Sequence, residues 1–118
     1  MKRIYIAGAY SADNVIAVLD NIREGMRLAT EALLAGFSPF CPWFDFHFQL
    51  MLRGNETLIV EDYYQYSAAW LEVSDAILIG QWLGCEKSKG TKTEIGQAKK
   101  LNIPVFYSMN ELKEWKWD

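Results

Sequence analysis

Lys2-Arg3-Ile4-Tyr5-Ile6-Ala7-Gly8 follows the initial methionine, and its reading governs the rest of the chain. A short apolar run rich in isoleucine that ends at glycine suits a strand buried on both faces. The polar patch behind it, Ser11-Ala12-Asp13-Asn14, can cap a helix. Val15, Leu19, Ile22, Met26, Ala29 and Leu33 then recur at steps of four and three, one stripe of a helix of about five turns. Gly36 stands where a left-handed residue closes such a helix.

The same alternation continues downstream. Phe37 to Phe40 reads as a second strand, leading into the aromatic loop Cys41-Pro42-Trp43-Phe44-Asp45-Phe46-His47-Phe48. A helix is expected from about Asn55 to Val73, with Ile59, Tyr63, Tyr66, Trp70 and Val73 on one face. Asp75 to Gly80 is a buried strand, Gly84 to Gly90 a Gly/Lys/Ser loop, Thr91 to Leu101 a helix, and Ile103 to Tyr107 a strand. A last short helix starts near Ser108 and carries the tail Trp115-Lys116-Trp117. Strands alternating with helices predict an α/β fold. It would be a three-layer open parallel sheet of four to five strands, flavodoxin- or Rossmann-like, with helices on both faces. Ligands bind such sheets beyond the C-terminal strand ends, where strand order reverses. That rule selects Gly8 to Asn14, Ser38 to His47, Gly80 to Glu94, and the residues after Tyr107.

The chain's 118 residues fit a single domain, 1–118. Hydrophobic residues make up 51% and charged residues 23%, enough for a packed core and against disorder. Twelve basic and 15 acidic residues leave a net charge of -3, which argues against a grip on a nucleic acid polymer. No apolar run reaches the ~18 residues that cross a bilayer, so no membrane partner is expected. The start, Met1-Lys2-Arg3 followed by Ile4 to Tyr10, mimics a secretion signal but is short and broken by Gly8. Cys41 and Cys85 stand far apart, so reduced thiols and a cytoplasmic location are expected. One histidine and two cysteines make a poor zinc set, and no metal or organic cofactor is implied.

Ser88-Lys89-Gly90-Thr91-Lys92-Thr93-Glu94 is the most informative segment. Hydroxyls, glycine and lysines lie where free N–H groups open a helix, an arrangement that suits an anion or a solvated turn equally. Five lysines against one acid between Lys87 and Lys100 give a local +4. A Walker loop is refused, because Gly84 and Gly90 are one residue too far apart. Glu94 has two readings. Thr91-Lys92-Thr93-Glu94 matches a capping box, as does Ser108-Met109-Asn110-Glu111. Alternatively, a carboxylate kept ionised in a helix's first turn is a nucleophile for an anomeric carbon. Tyr5 either fills a strand position or offers its hydroxyl to a carboxylate. Tyr10 and the loop aromatics Trp43, Phe44, Phe46 and Phe48 can stack on a flat base or form a satellite core. Asp45 and His47 are the polar members able to read a base edge or move a proton.

Taken in order, these segments resemble the nucleoside 2-deoxyribosyltransferase-like family, including its 2'-deoxynucleoside 5'-phosphate N-hydrolase branch. The resemblance runs from about Lys2 to Tyr107, through Ile4-Tyr5-Ile6-Ala7-Gly8, Trp70 to Leu78, and Ser88 to Ala98. It implies an N-glycosidase or deoxyribosyltransferase acting on nucleosides or nucleoside 5'-monophosphates, with Glu94 as nucleophile and Tyr5 orienting it. Ser88 matches the serine that contacts the 5'-phosphate. Gly8, Tyr10, Ser11, Gly90 and Lys92 are expected around sugar and phosphate, and Trp43 and His47 around the base. One departure stands out: Ser67 occupies the place of an aspartate that helps protonate the leaving base. Asp45, His47 and Asp62 are the candidate replacements, Asp45 first. The resemblance also implies a homodimer or higher homo-oligomer, with Trp115 and Trp117 as candidate contact residues. Ser67 equally favours a non-catalytic nucleotide-binding or scavenging module on the same fold. A purely structural interaction domain is the third reading.

Overall fold

The computed structural model describes residues 1–115. Strand β1 (Arg3–Ala7) is flanked by β2 (Ser38–Phe40) and β3 (Ala76–Ile79), and β4 (Val105–Phe106) completes a parallel sheet of order β2-β1-β3-β4. Tyr5 stands level with Phe40 on one side and Ile77 on the other. Asp75 sets the β1–β3 register at its entry: its Oδ2 accepts from the Arg3 amide at 2.7 Å, and its own amide donates to the Arg3 carbonyl at 2.8 Å.

Alternation along the two central strands sorts their side chains between two cores. Ile4, Ile6, Ala76 and Leu78 pack against helix α1 (Val15–Leu34) and against Leu112 of helix α5 (Met109–Glu114). Tyr5, Ala7, Ile77 and Ile79 pack against Leu71 of helix α3 (Val60–Glu72) and Ala98 of helix α4 (Lys89–Lys100). Between β2 and α3 the chain makes a 3-10 turn, Pro42–Asp45, and the short helix α2 (Phe46–Leu50). The expected three-layer α/β sheet with helices on both faces is what the chain forms, with four strands. Its order reverses between β1 and β3, so the C-terminal ends of those strands mark the crevice.

Several expectations need correction. The α1 stripe holds at Ile22 and Ala29, but Val15 and Leu33 at its ends are exposed; Asn21, Gly25 and Ala32 are buried instead. Gly36 does close α1 at φ 97°, with the Phe37 amide reaching back to Ala32. The third helix starts at Val60 rather than near Asn55. The preceding chain is folded into a turn across Gly54, in which Glu56 Oε1 accepts from the Arg53 amide at 2.8 Å. Asp62 ties off this helix, its Oδ2 accepting from the Ile59 amide at 2.8 Å. The loop after β2 is partly helical. The last strand is shorter than Ile103 to Tyr107.

Trp115 is not an exposed contact residue. It is half-buried on the α1–α5 side, with its ring 5.3 Å from that of Phe106 and under the Lys2 ammonium at 4.4 Å. Trp117 lies outside the described residues. Exposed apolar side chains lie along α3 among other places: this helix buries only Leu71, while Ile59, Trp70 and Val73 are 63%, 48% and 50% exposed. Cys41 and Cys85 are separate, buried free thiols. Among the described residues no helix is long and apolar enough to cross a membrane.

Candidate active site

The start of α4 decides what Glu94 can do. After Gly84 (φ 101°) the chain turns through Cys85–Lys87 and enters the helix at Ser88. Ser88 is the cap: its Oγ accepts from the Thr91 amide at 3.2 Å and from the Thr91 hydroxyl at 2.9 Å. The capping box expected at Thr91 to Glu94 therefore does not form, because the Thr91 amide is already used and Glu94 lies in the second turn. The other match, Ser108 to Glu111, is a real cap, with Ser108 Oγ accepting from the Glu111 amide at 3.1 Å.

Released from capping, Glu94 accepts a hydrogen bond from the Tyr5 hydroxyl through Oε2. Its expected first-turn ionisation by the helix dipole is corrected as well. Desolvation pushes its carboxyl up to about 7, and the Tyr5 hydrogen bond only partly opposes this. Part of the side chain still meets solvent. Tyr5 is fully buried, its hydroxyl held far above the usual phenol range by desolvation and then by the Glu94 charge. Ser67 of α3 stands near the same phenol and acts to lower its pKa. Thus β1, α3 and α4 converge on one phenol. Its ring is buttressed by Phe40 at 5.4 Å, which stacks in turn on Trp70 at 5.6 Å.

Asp45 joins this group from the turn after β2. It is 8% exposed, and its Oδ1 accepts from the Tyr10 hydroxyl at 2.8 Å. Burial raises its carboxyl above the ordinary range, against the Tyr10 hydrogen bond. Its charge acts to raise Tyr10, Tyr63, Tyr66 and, least, Tyr5, and of these four phenols Tyr10 is the one hydrogen-bonded to it. Sequence reading missed Tyr63 and Tyr66 as members of this cluster. Their spacing with Ser67 on one helix face was the available signal.

The other expected residues divide. Trp43 is 2% exposed and lies against Gly25, where any Cβ would meet its ring at 2.2 Å. Its Nε1 donates to the Ala9 carbonyl at 3.1 Å, so it is core and has no face free for a base. His47 is exposed on α2 and engages the Phe44 carbonyl at 3.2 Å. Phe44, Phe46 and Phe48 are exposed, and Phe48 packs edge-on to Tyr66 at 5.4 Å. Asp62 is spent on its cap. Gly8 lies under the ring of Trp82, Ser11 is exposed, Gly90 is half-buried in the first turn of α4, and Lys92 is exposed beside it. A groove of about 310 Å³ on the α1–α5 side, lined in part by Leu28, Trp82, Tyr107 and Met109, includes none of Glu94, Tyr5 and Asp45. Among the described residues no group of three or more histidine, cysteine or acidic side chains is placed to hold a metal ion.

Chemically the arrangement offers a carboxylate on a tyrosine, a second buried acid on another tyrosine, and a helix start bearing Ser88 with lysines around it. No protein-family model and no curated protein sequence matches the chain. Its fold matches that of a 2-deoxyribosyltransferase from the psychrotolerant bacterium Bacillus psychrosaccharolyticus. That match has a TM-score of 0.61 and 15% identity, and covers 98% of this chain and 93% of the other. A conserved protein from Enterococcus faecalis V583 matches with a TM-score of 0.50 at 18% identity, over 89% of this chain and 61% of its own length. The chain shares the open parallel α/β architecture of these two structures.

Proposed function

We propose that the chain belongs with the 2-deoxyribosyltransferases and cleaves the base–sugar bond of deoxynucleosides or their 5'-monophosphates. The observation that carries this reading is the Tyr5 hydroxyl donating to a Glu94 that its helix cap leaves free. In the proposed reaction the Glu94 carboxylate attacks C1', the C1'–N bond breaks, and the proton of Asp45 goes to the leaving base nitrogen. Water, or the N–H nitrogen of a second base, then attacks C1' and returns a proton to Asp45. Glu94 is released, and the product is a free sugar phosphate or a new nucleoside. Tyr5 aligns the nucleophile, and Ser67 supports Tyr5 rather than protonating the base. The Ser88 hydroxyl proton, the opening amides of α4 and the exposed Lys87, Lys89 and Lys92 suit a 5'-phosphate. The exposed face of α3 is the surface through which the chain would pair with a second copy.

A second reading, binding without turnover, draws support from the burial that leaves Glu94 about half protonated near pH 7 and so a weaker nucleophile. One assay separates them. Each deoxynucleoside 5'-monophosphate is incubated with the protein and free base is resolved by chromatography. The enzymatic reading expects base from wild type and none from Glu94→Gln. No base from any substrate, with binding retained by calorimetry, would establish the second.

A further inference from the structure

Asn21 is an unusual residue for its place. It lies on the buried stripe of α1 beside Ile22 and Gly25, 8% exposed, where an aliphatic side chain would favour both helix and core. Both halves of its carboxamide are used. Nδ2 donates to the Tyr10 carbonyl at 3.0 Å, and Oδ1 accepts from Trp82 Nε1 at 3.1 Å. These partners belong to different loops, one leaving β1 and the other leaving β3. Asn21 therefore bridges the two segments that flank the reversal of strand order.

Trp82 is seated as tightly as its partner. Its ring lies over Gly8 and Gly80, the residues that follow β1 and β3, so close that an added Cβ would meet it at 2.5 Å and 2.2 Å. It also packs on Trp43 at 5.7 Å, and Trp43 stacks on the Tyr10 ring at 6.4 Å with 20° between planes. Trp82 covers the C-terminal ends of β1 and β3 on the α1 side, and the groove of about 310 Å³ lies beside it. Tyr10 is also held at three points: its carbonyl by Asn21, its ring by Trp43, and its hydroxyl on Asp45.

We propose that Asn21, with Trp82, is a positioning residue for the Tyr10–Asp45 pair, aiming the Asp45 carboxyl at the leaving base. This rests on the reading of Asp45 as the proton donor. Asn21 touches no substrate and acts through Tyr10, so its loss should impair only steps that need the proton.

The test compares two substrates: a natural deoxynucleoside monophosphate, whose base must be protonated to leave, and a deoxyribose 5-phosphate bearing a nitrophenolate, which leaves without a proton. Asn21→Leu is expected to lose about 10²-fold in kcat on the natural substrate and less than about 3-fold on the activated one. Trp82→Phe removes the Nε1–H donor together with the distal ring atoms over the two glycines, and should show the same selectivity. Added to Tyr10→Phe, the Asn21 substitution should cost little more, because both act on one pair. Equal losses on both substrates, additive losses with Tyr10→Phe, or wild-type rates in both variants would overturn the inference while leaving the Glu94 chemistry standing. Absence of wild-type turnover on either substrate would instead remove the functional reading beneath it.

Discussion

Glu94 is held between two opposed influences. Desolvation favours its neutral form, whereas the Tyr5 hydroxyl favours the carboxylate. Attack at C1' needs the carboxylate, so on the deoxyribose 5-phosphate bearing a nitrophenolate, which leaves without the Asp45 proton, kcat/KM is expected to rise with pH through about 7. Tyr5→Phe removes the influence that holds the value down, so this ascending limb should move to higher pH as the maximal rate falls. A pH–rate profile of the two proteins checks it; an unmoved limb would contradict the assignment. Stability gives an independent reading. A carboxyl raised from 4.5 to about 7 on folding binds its proton more tightly in the native state. Its stabilisation is complete below about pH 4.5 and lost as pH rises through about 7. Glu94→Gln is therefore expected to gain on wild type across that window, by about 3 kcal/mol above it. Thermal melts at pH 5 and pH 8 check this, and a difference that did not grow with pH would count against a desolvated Glu94.

Two overlapping cap patterns compete at the head of α4, and Ser88 wins. Ser88→Ala should cost about 1 kcal/mol of stability through the lost cap. It should also raise KM for a nucleoside monophosphate while sparing the corresponding nucleoside, as steady-state kinetics on the pair would reveal. A KM increase shared by both substrates would remove Ser88 from the phosphate contact. This helix also marks the boundary of what the sequence makes legible. The buried runs around Ile4 and Leu78 announce central strands, because isoleucine-rich segments bounded by glycine fit little else. The cap at Ser88 was hidden, since Thr91-Lys92-Thr93-Glu94 is an equally good local pattern. The contact that takes Glu94 away comes from Tyr5, 89 positions distant in the chain. Trp43 misled for a similar reason: whether an aromatic loop faces a ligand or the core depends on Gly25 of another element. Asn21 and Trp82 gave no sign at all, because a polar residue on an apolar stripe and a tryptophan after a strand acquire meaning only when their loops meet.

At the scale of the molecule, the two halves of the sheet divide the work. The α1–α5 side packs Trp43, Trp82 and Trp115, with Tyr10 against them, and the α3–α4 side carries Tyr5 and Glu94. Along the outer face of α3, Ile59, Trp70 and Val73 leave apolar surface that a second copy would cover. Val73→Lys combined with Ile59→Lys should halve the mass seen by light scattering; a wild-type monomer would exclude this surface as a self-contact. Trp70 also stacks on Phe40, which stacks on Tyr5, so this face connects to the partner of Glu94 through two ring contacts. The most direct measurement is intact-protein mass spectrometry after rapid acid quench of a reaction with a 2-fluorinated arabinosyl nucleotide, which slows release of the sugar. The account predicts a sugar-phosphate adduct that maps to the Glu94 peptide and is absent from Glu94→Gln. An unmodified mass alongside measurable base release, or an adduct on any other residue, would contradict it.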